Sequence, residues 1–132
     1  MKTVALKENI ARINPDILII TYQEKLNSLN IPEVFKDCDI IIEAFDTSDM
    51  KEMLIQTVQL KLPRMPLIIG SGVAGWGNND FIKCRKIDST LFVCGDETSE
   101  VSDDLPTMAP KVGIVANMQA DLAVEILMNI KK

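Results

Sequence analysis

A chain of 132 residues with 47% apolar side chains has room for one domain with a sizeable core, 1–132. Its formal net charge of -5 disfavours nucleic acid or an anionic membrane as a generic partner. It has no histidine, which excludes Ser-His-Asp and Cys-His chemistry and histidine metal sites within one chain. A cation here would be a hard one held by carboxylates, with magnesium and a phosphate ligand as the fitting pair.

Leu6, Ile10 and Ile13 share one face of a predicted helix over 2–13. Asn14-Pro15 ends it, because the residue before a proline is pushed out of the helical region. Ile17-Leu-Ile-Ile-Thr-Tyr22 reads as a first apolar strand. A polar connection over 24–38 follows, with Pro32 opening a short helix to about Phe35. Next comes a strand over 39–45, centred on Ile40-Ile-Ile42. Met50, Met53, Leu54, Thr57, Val58 and Lys61 then fall at helical spacing over 47–61. A short apolar run feeding an amphipathic helix is the pattern of a buried parallel strand and its crossover helix. In such sheets ligands sit beyond the carboxyl ends of the strands, so Asp46 is the first acid to test. Asp46, Thr47 or Ser48 would equally serve as a helix cap.

Pro63 and Pro66 bracket a turn before a third strand over 67–69. Glycines at 70, 72, 75 and 77 then interrupt the chain around Trp76. Their spacing does not match a strand-to-helix phosphate loop, so they read as turns. An antiparallel hairpin is expected over 81–87 and 90–94, turned at Asp88-Ser89. A two-residue turn places Cys84 opposite Val93 and Cys94 opposite Lys83, on opposite faces of the pair, which argues against a disulfide. Cys38, Cys84 and Cys94 show no Cys-x-x-Cys spacing and fit free thiols in a reducing cytoplasm. Five acids between Asp96 and Asp104 read as a solvated loop. A last helix over 111–130 carries Val112, Val115, Met118, Leu122, Ile126 and Ile130, with alanines that make it apolar over much of its circumference. No apolar run approaches the roughly 20 residues of a membrane span. The start, Met-Lys-Thr-Val, leads into an amphipathic segment rather than a signal peptide. The fold class is therefore α/β: parallel strands (17–22, 39–45, 67–69), an antiparallel hairpin and a C-terminal helix.

Four strings in order carry a resemblance. They are Lys2 ahead of a helix ending in Asn14-Pro15, Glu43-Ala-Phe-Asp46-Thr47 with Lys51, Pro66-Leu-Ile-Ile-Gly-Ser-Gly-Val-Ala-Gly75, and Val112-Gly-Ile-Val-Ala-Asn-Met-Gln119-Ala. Together they resemble the ThiF/MoeB-type, ubiquitin-activating-like adenylyltransferases, with their Asp-Ala-Thr-Asp-Asn and Pro-Leu-Ile-x-Gly motifs. Cys94-Gly95-Asp96 resembles the thiamine-biosynthesis branch. The resemblance implies a Rossmann-like three-layer fold, ATP and magnesium as cofactors, and adenylation of the C-terminal glycine of a small β-grasp sulfur-carrier protein. It implies that Asp46 holds the magnesium and that Lys2 and Lys51 lie on the phosphate side of ATP. Lys51 stands where the family usually has arginine, and Thr47 where it has asparagine. The family's two Cys-x-x-Cys zinc pairs do not occur here, so no zinc is expected.

The resemblance also implies a Gly-x-Gly-Gly-x-Gly phosphate loop in an N-terminal half, and these 132 residues contain no such string. This chain alone is therefore expected to be inactive. Alternatives are a non-catalytic dimerisation or carrier-binding module, or one half of a split enzyme with a separate N-terminal polypeptide. The implied strand order 3-2-1-4-5 makes 17–22 the third strand and 39–45 the fourth, each lacking a neighbour. Either these two pair directly or a second chain covers their edges, and a homo-oligomer is expected in both cases.

Overall fold

The computed structural model describes residues 2–130, without the side chain of Ile130, so that residue's place on the apolar line of the last helix lies outside the description. The elements are α1 (Lys2–Ile13), α2 (Ile31–Phe35), β1 (Ile41–Ile42), α3 (Ser48–Lys61), β2 (Leu67–Gly70), a 3-10 turn (Asn79–Phe81), β3 (Lys83–Lys86), β4 (Leu91–Gly95) and α4 (Ala109–Ile130). They form one four-stranded sheet in the order β1-β2-β4-β3. β1, β2 and β4 are parallel, and β3 runs antiparallel to β4.

The alternation of side chains along β2 builds the layers. Leu67 and Ile69 join Ile31, Ile41, Leu54, Val58, Leu91 and Val93 in a core under α2 and α3. Ile68 points the other way, into a second core with Ile82, Cys94, Val115 and Ala123 under α4. A strand covered on both faces has no polar side to show, which is why Leu67-Ile-Ile69 is a continuous apolar run. Burying a side chain such as Leu54 or Val58 contributes about 1.5–3 kcal/mol each. The architecture is the α/β layering expected from the sequence.

Three details differ from expectation. First, 17–22 forms no strand among the described residues: Ile17, Ile20 and Tyr22 are exposed, and Leu18 is 84% exposed. A strand exists only where a neighbour takes its N–H and C=O groups. β1 is hydrogen-bonded to β2 on one side and is the open edge of the sheet on the other. The direct pairing of 17–22 with Ile40-Ile-Ile42 is not made. β1 itself contracts from 39–45 to two residues, and Ile42 is left exposed. Second, α1 forms over the predicted residues but buries none of them.

Third, the hairpin register is shifted by one. Its turn has three residues, Asp88 to Thr90, rather than two. Asp88 Oδ1 accepts from the amides of Thr90 at 2.8 Å and Leu91 at 2.7 Å, while the Ile87 amide donates to Leu91 O at 2.8 Å. A one-residue slip moves every side chain to the other face. Cys84 therefore stands directly opposite Cys94, with their Cα atoms 4.1 Å apart, and the two form a disulfide. The expectation of free thiols holds for Cys38, which is exposed, and is overturned for the other two.

Candidate functional site

The carboxyl ends of β1, β2 and β4 bring an unusual number of charged side chains together. Just past β1, Glu43 is carried inward: its amide donates to Ile68 O at 2.9 Å, and the residue is 3% exposed. Its Oε1 accepts from the Phe45 amide at 2.5 Å. Its Oε2 lies 3.4 Å from Lys51 Nζ, an ion-pair distance without hydrogen-bond geometry. Lys51 sits in the first turns of α3 and donates from the same ammonium to the Gly70 carbonyl at the end of β2. On the far side of Gly70 stands the Gln119 amide of α4, buried, with Nε2 lacking a protein partner; a Cβ added at Gly70 would lie 3.6 Å from it. The ends of β1 and β2 are thus tied through Lys51, and α4 closes over Gly70.

Asp46 comes three residues after Glu43 and is exposed. Thr47 is the N-cap of α3 in an extended conformation, and its side chain makes no capping bond. Among the described residues no hydrogen bond or ion pair fixes the Asp46 carboxylate. The first amides of α3 therefore have no side-chain cap, and an exposed acid stands beside them. Asp46 is not among the residues lining the apolar depression of about 400 Å³ formed by Tyr22, Leu26, Val34, Phe35, Phe45 and Met50, together with Glu24 and Lys25. Lys2 is exposed on α1, and no ion pair among the described residues joins it to Asp46. Of the three residues singled out by resemblance, Asp46 and Lys51 share the β1–α3 junction, and Lys51 turns inward.

A second buried pair lies at the end of β4. Lys111 Nζ donates to Asp96 Oδ2 at 2.7 Å, to the Ala74 carbonyl at 2.8 Å and to Ser99 Oγ at 3.4 Å. Asp96 Oδ1 accepts from the amides of Thr98 at 2.9 Å and Ser99 at 2.8 Å. Burial opposes ionisation of Asp96, but these bonds, Lys111 foremost, outweigh it and hold the carboxyl well below the usual carboxylate range. The acidic run is therefore a solvated loop only in part: its first member is a buried anchor. Glu97 pairs with Arg85 at 2.6 Å, and Glu100, Asp103 and Asp104 are exposed. Sequence reasoning missed Glu43, Gln119, Asp96 and Lys111 as partners. Two signals were present: one charge set within an apolar strand, and one cation at the head of an apolar helix.

The position of Lys51 has a measurable consequence. Lys51→Met leaves the buried Glu43 carboxylate without its cation and is expected to cost about 3 kcal/mol, the low end for breaking a buried pair because Lys51 keeps 27% of its side chain exposed. Glu43→Gln combined with Lys51→Met should recover most of that loss in urea unfolding at neutral pH. A double variant no more stable than Lys51→Met would show that the stranded charge is not the cause.

The family model described as "ThiF family" matches residues 1–132. The chain belongs to the ThiF family. It is 32% identical over 96% of its length to the adenylyltransferase and sulfurtransferase UBA4 of Meyerozyma guilliermondii. It is 26% identical over 99% of its length to the adenylyltransferase and sulfurtransferase MOCS3 of Dictyostelium discoideum. The aligned region is 30% and 31% of those proteins, so this ThiF-family chain spans about a third of the curated relatives it matches. No solved structure gives a significant match. No helix among the described residues is long and apolar enough to cross a membrane.

Proposed function

We propose that this chain serves in the ATP-dependent activation of a small β-grasp sulfur-carrier protein, with the site built on the β1–α3 junction. The observation that carries the reading is Asp46: an exposed carboxylate beyond the carboxyl end of a parallel strand, beside a helix N-terminus without a side-chain cap. Free amides and the helix dipole at that end favour an anion such as a polyphosphate. One exposed acid fits magnesium, which is held by one or two carboxylates together with phosphate oxygens rather than by a full protein cage. The ion would supply charge neutralisation on the triphosphate. In the reaction the carrier's terminal carboxylate attacks the α-phosphate, an O–P bond forms, and pyrophosphate leaves. The work of the protein is positioning and electrostatic stabilisation.

In this reading Lys2 meets phosphate oxygens as a mobile point charge. Lys51 stays on the phosphate side of the junction and holds the strand ends. The thiamine branch is supported by Cys94-Gly95-Asp96, in which Cys94 is bonded to Cys84. A homo-oligomer is supported by the open edge of β1 and the uncovered α1, and a cytoplasmic setting is part of the same proposal.

Carrier-dependent ATP–pyrophosphate exchange tests the reading. The 132-residue chain alone is expected to give only the no-protein background, because these residues contain no phosphate loop. A family N-terminal half bearing Gly-x-Gly-Gly-x-Gly, added in trans, should restore exchange. Asp46→Ala should then lower it by roughly 10²–10³ with little change in melting temperature. Exchange by the chain alone defeats the phosphate-loop argument. An Asp46→Ala protein that melts earlier but exchanges normally assigns Asp46 to capping α3.

A further inference from the structure

Nothing in the proposed adenylation uses the Cys84–Cys94 pair, and its setting is asymmetric. Cys94 lies on β4, between β2 and β3 in the sheet, and is 0% exposed within the cluster of Ile68, Ile82 and Val115. Cys84 lies on β3, the edge strand, and is half-buried. Cys84 is therefore the more exposed of the two bonded residues. β3 reads Lys83-Cys84-Arg85-Lys86 in a chain whose net charge is -5. Arg85 is committed to Glu97 through two bonds of 2.6 Å. Lys83 and Lys86 are exposed and free of ion pairs among the described residues. Lys86 shares a sheet face with Cys84, two residues along, its ammonium 5.8 Å from the Phe92 ring centroid. Edge-strand lysines also deter strand pairing, so charge alone would mark nothing. Here one of those lysines, Lys86, lies on the same sheet face as the more exposed cysteine of a disulfide, and Lys83 is on the opposite face of the same edge strand.

We propose that Cys84–Cys94 is a thiol-exchange site for anionic low-molecular-weight thiols of the glutathione class, which enter along the basic edge strand at Cys84. A thiolate attacks Cys84 Sγ, the Cys84–Cys94 bond breaks, and Cys94 leaves as a thiolate that takes up a proton. A second thiol attacks the external sulfur of the mixed disulfide and releases Cys84. In sum, one protein disulfide and two small thiols become two protein thiols and one small disulfide. Attack depends on which sulfur is accessible, and the enclosed Cys94 sulfur is shielded. This site is independent of the adenylation reading, since it requires neither nucleotide nor carrier.

The test uses the full chain in a Cys38→Ser background, so that only the pair reports. Protein purified without reductant should resist alkylation at both positions. Reduction rates, corrected for each thiol's pKa, should be higher for glutathione and thioglycolate than for neutral 2-mercaptoethanol, and lowest for cationic cysteamine. A spread of about threefold to tenfold is expected at low ionic strength, collapsing at high salt. Lys83→Glu with Lys86→Glu, both on the surface, should reverse the order. In Cys94→Ser, glutathione disulfide should place its adduct on Cys84 by peptide mass mapping. Free thiols at both positions in the isolated protein overturn the proposal. So do rates indifferent to thiol charge and to the lysine variants, which need no cysteine replaced in the pair.

Discussion

Lys111→Met is expected to lower the free energy of unfolding by about 3–5 kcal/mol, because it strands a buried carboxylate. Asp96 and Lys111 keep only 6% and 5% of their side chains exposed. The pair ties the end of β4 to the first turn of α4, and through the Ala74 carbonyl to the glycine-rich segment. Methionine replaces the stem but leaves Asp96 with backbone and hydroxyl donors alone. The same pair sets a pH dependence. The folded Asp96 carboxyl titrates below its unfolded counterpart, so the unfolded chain binds more protons across the acidic range. The stability this group contributes is complete above the ordinary aspartate pKa of about 4 and is lost as pH falls toward the folded value. Asp96→Asn should remove that acid-limb slope from urea unfolding measured between neutral and strongly acidic pH. A Lys111→Met protein within about 0.5 kcal/mol of the parent, the range of a featureless surface change, would mean that the ion pair adds nothing.

Gly95→Ala should be nearly as damaging, at about 2–5 kcal/mol, by combining backbone strain with overpacking. Gly95 has a φ of +142°. A Cβ at that position would fall onto the Ser71 carbonyl, where the neighbouring backbone cannot swing aside as a flexible side chain can. The Ser71 amide donates to Cys94 O at 3.0 Å there, a rung joining the ends of β2 and β4, and the Ser71 carbonyl accepts from the Glu97 amide at 3.1 Å. Any relief displaces that rung and, one residue later, Asp96. Gly113→Ala is the control: it lies within α4, has no atom within 4 Å of the added carbon, and carries no left-handed φ. It should gain roughly 0.5–1 kcal/mol from helix propensity. Equal effects at the two glycines in thermal unfolding would remove the steric argument.

The sequence by itself determined what depends on neighbours along the chain. Apolar spacing with Asn14-Pro15 and Pro63 delimited α1 and α3, and Leu67-Ile-Ile69 marked a strand buried on both faces. The four ordered strings carried the family. Tertiary structure decided whatever depends on a partner far along the chain. Ile17 to Tyr22 has strand chemistry, but among the described residues no strand lies beside it to take its hydrogen bonds. Turn chemistry at Asp88 added one residue to the hairpin, and because side chains alternate with period two, that single residue brought Cys84 and Cys94 face to face. The contacts of Lys51 with the buried Glu43 and with the carbonyl where β2 ends are likewise tertiary. Asp96 looked like one of five solvated acids until α4, 15 residues further on, delivered Lys111 against it. A charge's role is set by whether it is buried and by what meets it there, and neither is encoded within a few residues of its position.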